Sequence, residues 1–336
     1  QNYNVAVGYE AGKQVTTGQF NVLVGGLAGD AITTGGSNIA VGTGSLSADT
    51  LGSNSVSIGT NALTAQNFTT ATDVYNVAVG TNAGLSVSTG TQNTLIGGLA
   101  GDALTTGADN TALGYNSLGA GVASFYNTAI GKDALESDTT GRHSVAVGRH
   151  ALQTQNNTTS TDMYNVAVGS EAGASVTTGI ENTLLGGKAG DALTDADRNV
   201  AIGYSALTTN TVGSESVAIG AFALNSQNPA TATSMYNVAV GHNAGSAVTT
   251  GENNTIIGGL AGDALTTGAQ NVVVGQGALS GDTKGNHSVA VGREALSVQN
   301  FTTSTNAYNV AVGDRAGYQV TTGTSNTLVG GLAGDA

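Results

Sequence analysis

The 336-residue chain contains no cysteine, no tryptophan and a single proline, and only 4% of it is aromatic. Without cysteine, neither a disulfide framework nor a thiolate metal site is available. With so few aromatics, the chain lacks the large side chains on which a globular core leans. Charged residues make up 9%, and nine Lys and Arg against 22 Asp and Glu leave a net charge of −13. That balance disfavours nucleic acid, whose phosphates must be met by Lys and Arg. No apolar run approaches the roughly 18 residues of a membrane helix. No nucleic-acid partner and no membrane insertion within this segment are therefore expected.

Glycine is abundant, at 52 residues. Scattered, it would signal disorder; here it is periodic. Segments of the form Asn-Val-Ala-Val-Gly begin at Asn4, Asn21, Asn38, Ser55, Asn76 and Asn93 and continue to Asn326, nineteen in all. Their spacing is 17 residues except for four steps of 21, each following a segment that begins with Ser. The fifth residue is always Gly, as at Gly8, Gly25, Gly42, Gly59 and Gly80, and the fourth is always Val, Ile or Leu. The eighth is Ala in seventeen units and Ser at Ser45 and Ser117. Two short extended runs punctuated by Gly read as strand, turn, strand, turn, which is one coil of a parallel β-solenoid. Stacked coils let small residues bury a continuous core. Helix is opposed by the recurrent Gly and the β-branched clusters. The expected fold is all-β, a single continuous solenoid over 1–336 that forms a segment of a longer chain. At about 4.8 Å per coil its nineteen coils would extend roughly 90 Å.

Within the first strand both faces are apolar: Val5 and Val7 point one way and Ala6 the other. The third residue enlarges to Leu23, Leu95, Leu184, Ile256 and Leu328 in every Gly-Gly coil. That stripe is read as the outward one, which a monomer would leave wet, so a parallel homotrimer is expected with it at a shared axis. The leading Asn4, Asn21, Asn38, Asn76 and Asn93 are expected to stack as an amide ladder, with the glycines of the fifth position as corners. A longer period overlies the coils. Tyr3, Tyr75, Tyr164, Tyr236 and Tyr308 recur every 72 residues, three coils of 17 and one of 21, with one interval of 89 holding an extra coil.

The unit Asn-Val-Ala-Val-Gly-x-x-Ala resembles the head repeats of YadA-like trimeric autotransporter adhesins across the whole chain. The resemblance implies a left-handed parallel β-roll assembled as a homotrimer. The 17-residue spacing is longer than is usual for that family, and no neck, stalk or anchor is present. The tracts Gly97–Gly107 and Gln66–Thr72 look more like repeats in tail-fibre or appendage proteins of marine bacteriophages. The implied role is a non-enzymatic structural shaft of a virion appendage or cell surface, extracellular, engaging a host glycan or protein receptor. The head of a bacterial adhesin is the alternative, and an ice-binding or polysaccharide-processing solenoid a lesser one.

Four polar insertions, 66–74, 155–163, 227–235 and 299–307, supply the extra residues of the long coils. A fixed cross-section should force them outward, which makes Asn67, Thr69, Asn156, Thr158, Asn228, Pro229, Asn300 and Thr302 the candidate recognition residues. Asp30, Asp102, Asp191, Asp263 and Asp335 share one station, but consecutive members lie four or five coils apart, beyond any common metal coordination sphere, and read as turn residues. His143, His150, His242 and His287 have no sequence-local carboxylate or nucleophile. Thr pairs such as Thr16-Thr17 and Thr177-Thr178 run into Gly and read as turns rather than as an ice-binding ladder. No catalytic residue, metal or cofactor is expected.

Overall fold

The computed structural model describes residues 2–157 and 159–335. It is a parallel β-solenoid, and among the described residues no helix is long and apolar enough to cross a membrane. The backbone falls into two compact units, Gln1–Asn165 and Val166–Ala336. The first stacks nine coils and the second ten, each contributing one three-residue strand to a parallel ladder. Register is one coil per step, Val5 beside Val22 and Ala6 beside Leu23 in the first unit, Val200 beside Val217 in the second.

The fifth residue must be glycine for two reasons. Its φ lies near +130° to +140°, as at Gly8, Gly25, Gly42 and Gly80, a region that only glycine occupies without strain. A Cβ there would also strike the next coil: at Gly131 it would sit 2.5 Å from the carbonyl oxygen of Gly148. Close coil-on-coil contact at this corner leaves no room for a side chain.

Asparagine at the first position braces each coil internally and externally. The Asn93 amide Nδ2 donates to the Gly107 carbonyl 2.9 Å away, closing its own coil, while the Asn93 backbone N–H donates to Asn76 Oδ1 at 2.9 Å. Asn21, Asn38, Asn199 and Asn254 repeat the pattern. These side chains are fully buried, so every amide group needs its partner.

The outward stripe is the reverse of the one expected. Ala40, Ala78, Leu23, Leu95, Leu184 and Ile256 are fully buried inside the coil, and only in the first and last strands is the middle residue uncovered. The second and fourth residues face solvent instead. Parity explains this: the third residue lies on the same side of the strand as the first, and the first must point inward to brace the coil. Core volume is then balanced between stations. Where the third residue is Leu, the ninth is Gly both in that coil and in the one before, and a Cβ on Gly29 or on Gly12 of the preceding coil would come within 2.7 Å of Leu23. In the remaining coils with Ala third, the ninth is Leu, as Leu46, Leu118 and Leu207, each buried. Those leucines adopt φ near +50° to +57°, at a cost of about 1–2 kcal/mol. Burial of a leucine contributes about 1.5–3 kcal/mol, so the core overrides the backbone preference.

The twelfth station explains the longer period. It runs Val87 and Leu104 in two coils, then Asp and Gln in the last two of each set: Asp49 and Gln66, Asp138 and Gln155, Asp282 and Gln299, with Asn210 replacing Asp beside Gln227. All are buried. Where Ser55 replaces the ladder Asn, Gln66 fills the gap. Its Nε2 donates to Ser55 Oγ (3.0 Å) and Asp49 Oδ2 (2.6 Å), and its Oε1 accepts from the Asn76 amide (3.0 Å). The same node forms at Asp282, Gln299, Ser288 and Asn309.

Gly131→Ala should lower stability by about 2 kcal/mol or more, because strain at a glycine-only φ adds to a backbone clash. Denaturant midpoints test this, and a loss under about 0.5 kcal/mol would contradict the account. At Asp138, burial pushes the carboxyl up from 3.8 to about 6, against the opposing hydrogen bonds from Gly141 and Gln155. The folded state therefore holds this proton more tightly than the unfolded chain, so the contribution of Asp138 to stability is fully present below about pH 4 and is lost as pH rises toward 6. Asp138→Asn, the residue already present at Asn210, should flatten that slope and raise stability at pH 7 by about 2 kcal/mol. Melting curves from pH 3.5 to 7.5 would show it, and an unchanged slope would count against the buried charge.

Candidate functional site

The long-coil insertions turn inward at both ends, contrary to a simple outward bulge. Their first residues, Gln66, Gln155, Gln227 and Gln299, are the nodes of the core, and their last, Val74, Met163, Met235 and Ala307, are fully buried. Phe68 and Phe301 are also buried, at 7% and 6% exposure. Pro229 occupies that same plugging position and is buried too, in contrast to the outward position expected for it. Each insertion carries inward-pointing residues at fixed places, which a view based on cross-section alone leaves out. Thr72–Asp73, Thr233–Ser234 and Thr305–Asn306 then pair in parallel with the preceding coil.

Among the described residues, the middle of each insertion projects. Asn67, Asn156, Asn228 and Asn300 are exposed, yet their Oδ1 atoms are tied to the coil before. They accept from the hydroxyls of Thr50 (3.1 Å), Thr139 (2.8 Å), Thr211 (2.8 Å) and Thr283 (3.2 Å). Thr69 and Thr302 stand in solvent on the surface, and Thr158 lies outside the described residues.

Stacking also creates pairs that no local reading could find. His143 lies between the rings of Tyr126 and Tyr164, at centroid distances of 4.9 and 5.2 Å, with Asp162 3.7 Å from its Nε2. His150 Nε2 is 3.4 Å from Asp133, and His287 stacks on Tyr308 at 5.0 Å. The rings recur at the last station of successive coils and form an exposed edge. In the second unit that edge becomes ionic, with Arg198 bridging Glu181 (2.9 Å) and Glu215 (3.0 Å). Threonines at the turn are consumed by stacking: Thr16 Oγ1 donates to the Thr33 carbonyl and Thr33 to that of Thr50.

The Gly-Asp-Ala aspartates remain in separate coils, and no cluster of three metal-ligating side chains occurs among the described residues. Two of them edge shallow grooves. A groove of about 430 Å³ in the first unit is lined by Asp102, Asn116, Gly119 and Glu136, and one of about 380 Å³ in the second by Asp263, Gln276, Ser280 and Tyr318. Burial pushes both aspartate carboxyls above their ordinary range.

A repeating surface feature is the outer face of the strands. Along both units the second and fourth residues form two columns of Val, Ile and Leu, interrupted only by six threonines and by no charge. Ile39, Ile58, Leu113, Ile257 and Val272 are 38–44% exposed. No protein-family model matches the chain, and no curated protein matches it.

Proposed function

We propose that this chain is a structural segment of an extracellular surface appendage, a bacteriophage tail or capsid fibre engaged in host attachment, and that it assembles as a parallel homotrimer. The observation that carries the reading is the charge-free outer strand face. Soluble monomers rarely expose contiguous apolar patches beyond a few hundred Å², and a repeating face of this kind is matched best by identical copies set around an axis. The residues meeting at that axis are the valines and isoleucines of the second and fourth stations, not the Ala6 stripe. All the recurrent chemistry within a coil (Asn brace, Gly corner, Leu filler) serves stacking, which suits a load-bearing shaft rather than a catalyst. The head of a bacterial adhesin would use the same face, and flanking sequence with a signal peptide and barrel anchor would favour it.

Sedimentation equilibrium should give three times the 32.8 kDa chain mass. Ile130→Lys with Ile219→Lys should return the chain to monomer while the β spectrum persists. A monomeric parent would refute the assembly. For attachment, exchanging Thr69 and Thr302 together with their insertion tips for glycines should weaken binding on a glycan array or to host cells. Equal binding by parent and variant would remove the insertions as recognition elements.

A further inference from the structure

The third of the long repeats shows what the Gly-Asp-Ala carboxyl is shaped to accept. There the Asp191 carboxylate accepts a hydrogen bond from the hydroxyl of Thr208, seventeen residues on and one coil away. At the equivalent place after Asp102 stands Gly119, and after Asp263 stands Ser280, which makes no such bond. Asp263 Oδ1 is buried with no hydrogen-bond partner, a state it shares with Asp30 Oδ1 at the same station and one uncommon for a carboxylate oxygen. The space Thr208 would occupy is open at Asp102 and Asp263, and it is there that the grooves lie.

We infer that the grooves at Asp102 and Asp263 are saccharide subsites, in which a sugar hydroxyl takes the position that the Thr208 hydroxyl holds at Asp191. The lining suits a neutral polyol. Asn116 offers its amide oxygen, its N–H groups being held by Asp133 and Glu136, while Gln276 offers an amide, Ser137 and Ser280 hydroxyls and Tyr318 a ring edge and phenol, so donors and acceptors both line the grooves. The second acid of each groove is already engaged: Glu136 accepts from Asn116 (2.9 Å) and Gln153 (2.6 Å), and Glu294 pairs with Arg293 at 3.2 Å. That leaves a single receptive carboxylate, which fits a hydroxyl better than a cation needing several ligands.

The assignment stands apart from the fibre reading, which is decided by mass and oligomeric state. Saturation-transfer NMR on the full chain with glucose, galactose, mannose, N-acetylglucosamine, lactose and cellobiose at millimolar concentration is the test. At least one sugar should receive saturation, and the D102A/D263A double variant should lose it at least tenfold. Ser280→Trp, which fills the second groove and leaves Asp263 intact, should lose part of it. Asp191→Ala should change nothing, and Thr208→Gly should increase the signal by freeing a third carboxylate. Melting curves confirm that each variant folds, with D102N/D263N as the shape-preserving substitute if the double alanine variant does not. No transfer to any of the six sugars, or transfer undiminished in the folded double variant, would overturn the proposal.

Discussion

The whole architecture depends on one buried amide per coil. An asparagine side chain bonds a carbonyl fourteen residues ahead in its own coil and accepts the N–H of the next coil's asparagine. A coil of small residues has little core to hold its cross-section closed, so the amide does so by geometry. Once that brace is inside, strand parity places the third residue inside and the second and fourth outside. The glycine corner is a consequence as well, because coils drawn this close bring their backbones into contact at Gly131 and Gly148.

The polar nodes show that this constraint can be relaxed only by substitution in kind. Serine at Ser55 is too short to brace, and the long coil supplies Gln66 from eleven residues further on. The insertion is in this sense the completion of the core as much as an excursion from it, which is why its ends are buried and only its centre is wet. Buried carboxylates beside these glutamines cost stability and are rarely retained for that purpose. Their recurrence at one coil in each set makes neighbouring coils chemically unequal, and a chain slipped by a single coil would take Asp49 away from the Gln66 amide that donates to it.

Coil number, register and the all-β class were legible because Asn and Gly recur at fixed stations and nothing else in a 17-residue period explains both. Which face lies inside was not legible from hydrophobicity, since Ala-Leu and Val-Ile stripes are both apolar. Two signals would have resolved it: the buried requirement of the Asn amide, and the exchange of Leu23 with Gly29 against Ala40 with Leu46. The inward ends of the insertions could have been read from Gln66 sharing its station with Val87 and Leu104. Pairs such as His143 with Asp162 and His150 with Asp133 lie nineteen and seventeen residues apart, so they are neighbours only after stacking.

The amide ladder has a direction. Where asparagine follows asparagine the later coil contributes the N–H and the earlier coil the side-chain oxygen, as Asn21 to Asn4 and Asn199 to Asn182. A polypeptide emerging from the ribosome N-terminus first therefore has each acceptor in place before its donor has been made. Growth of the stack and elongation of the chain run the same way, so a partly synthesised protein always ends in a surface ready to template one more coil.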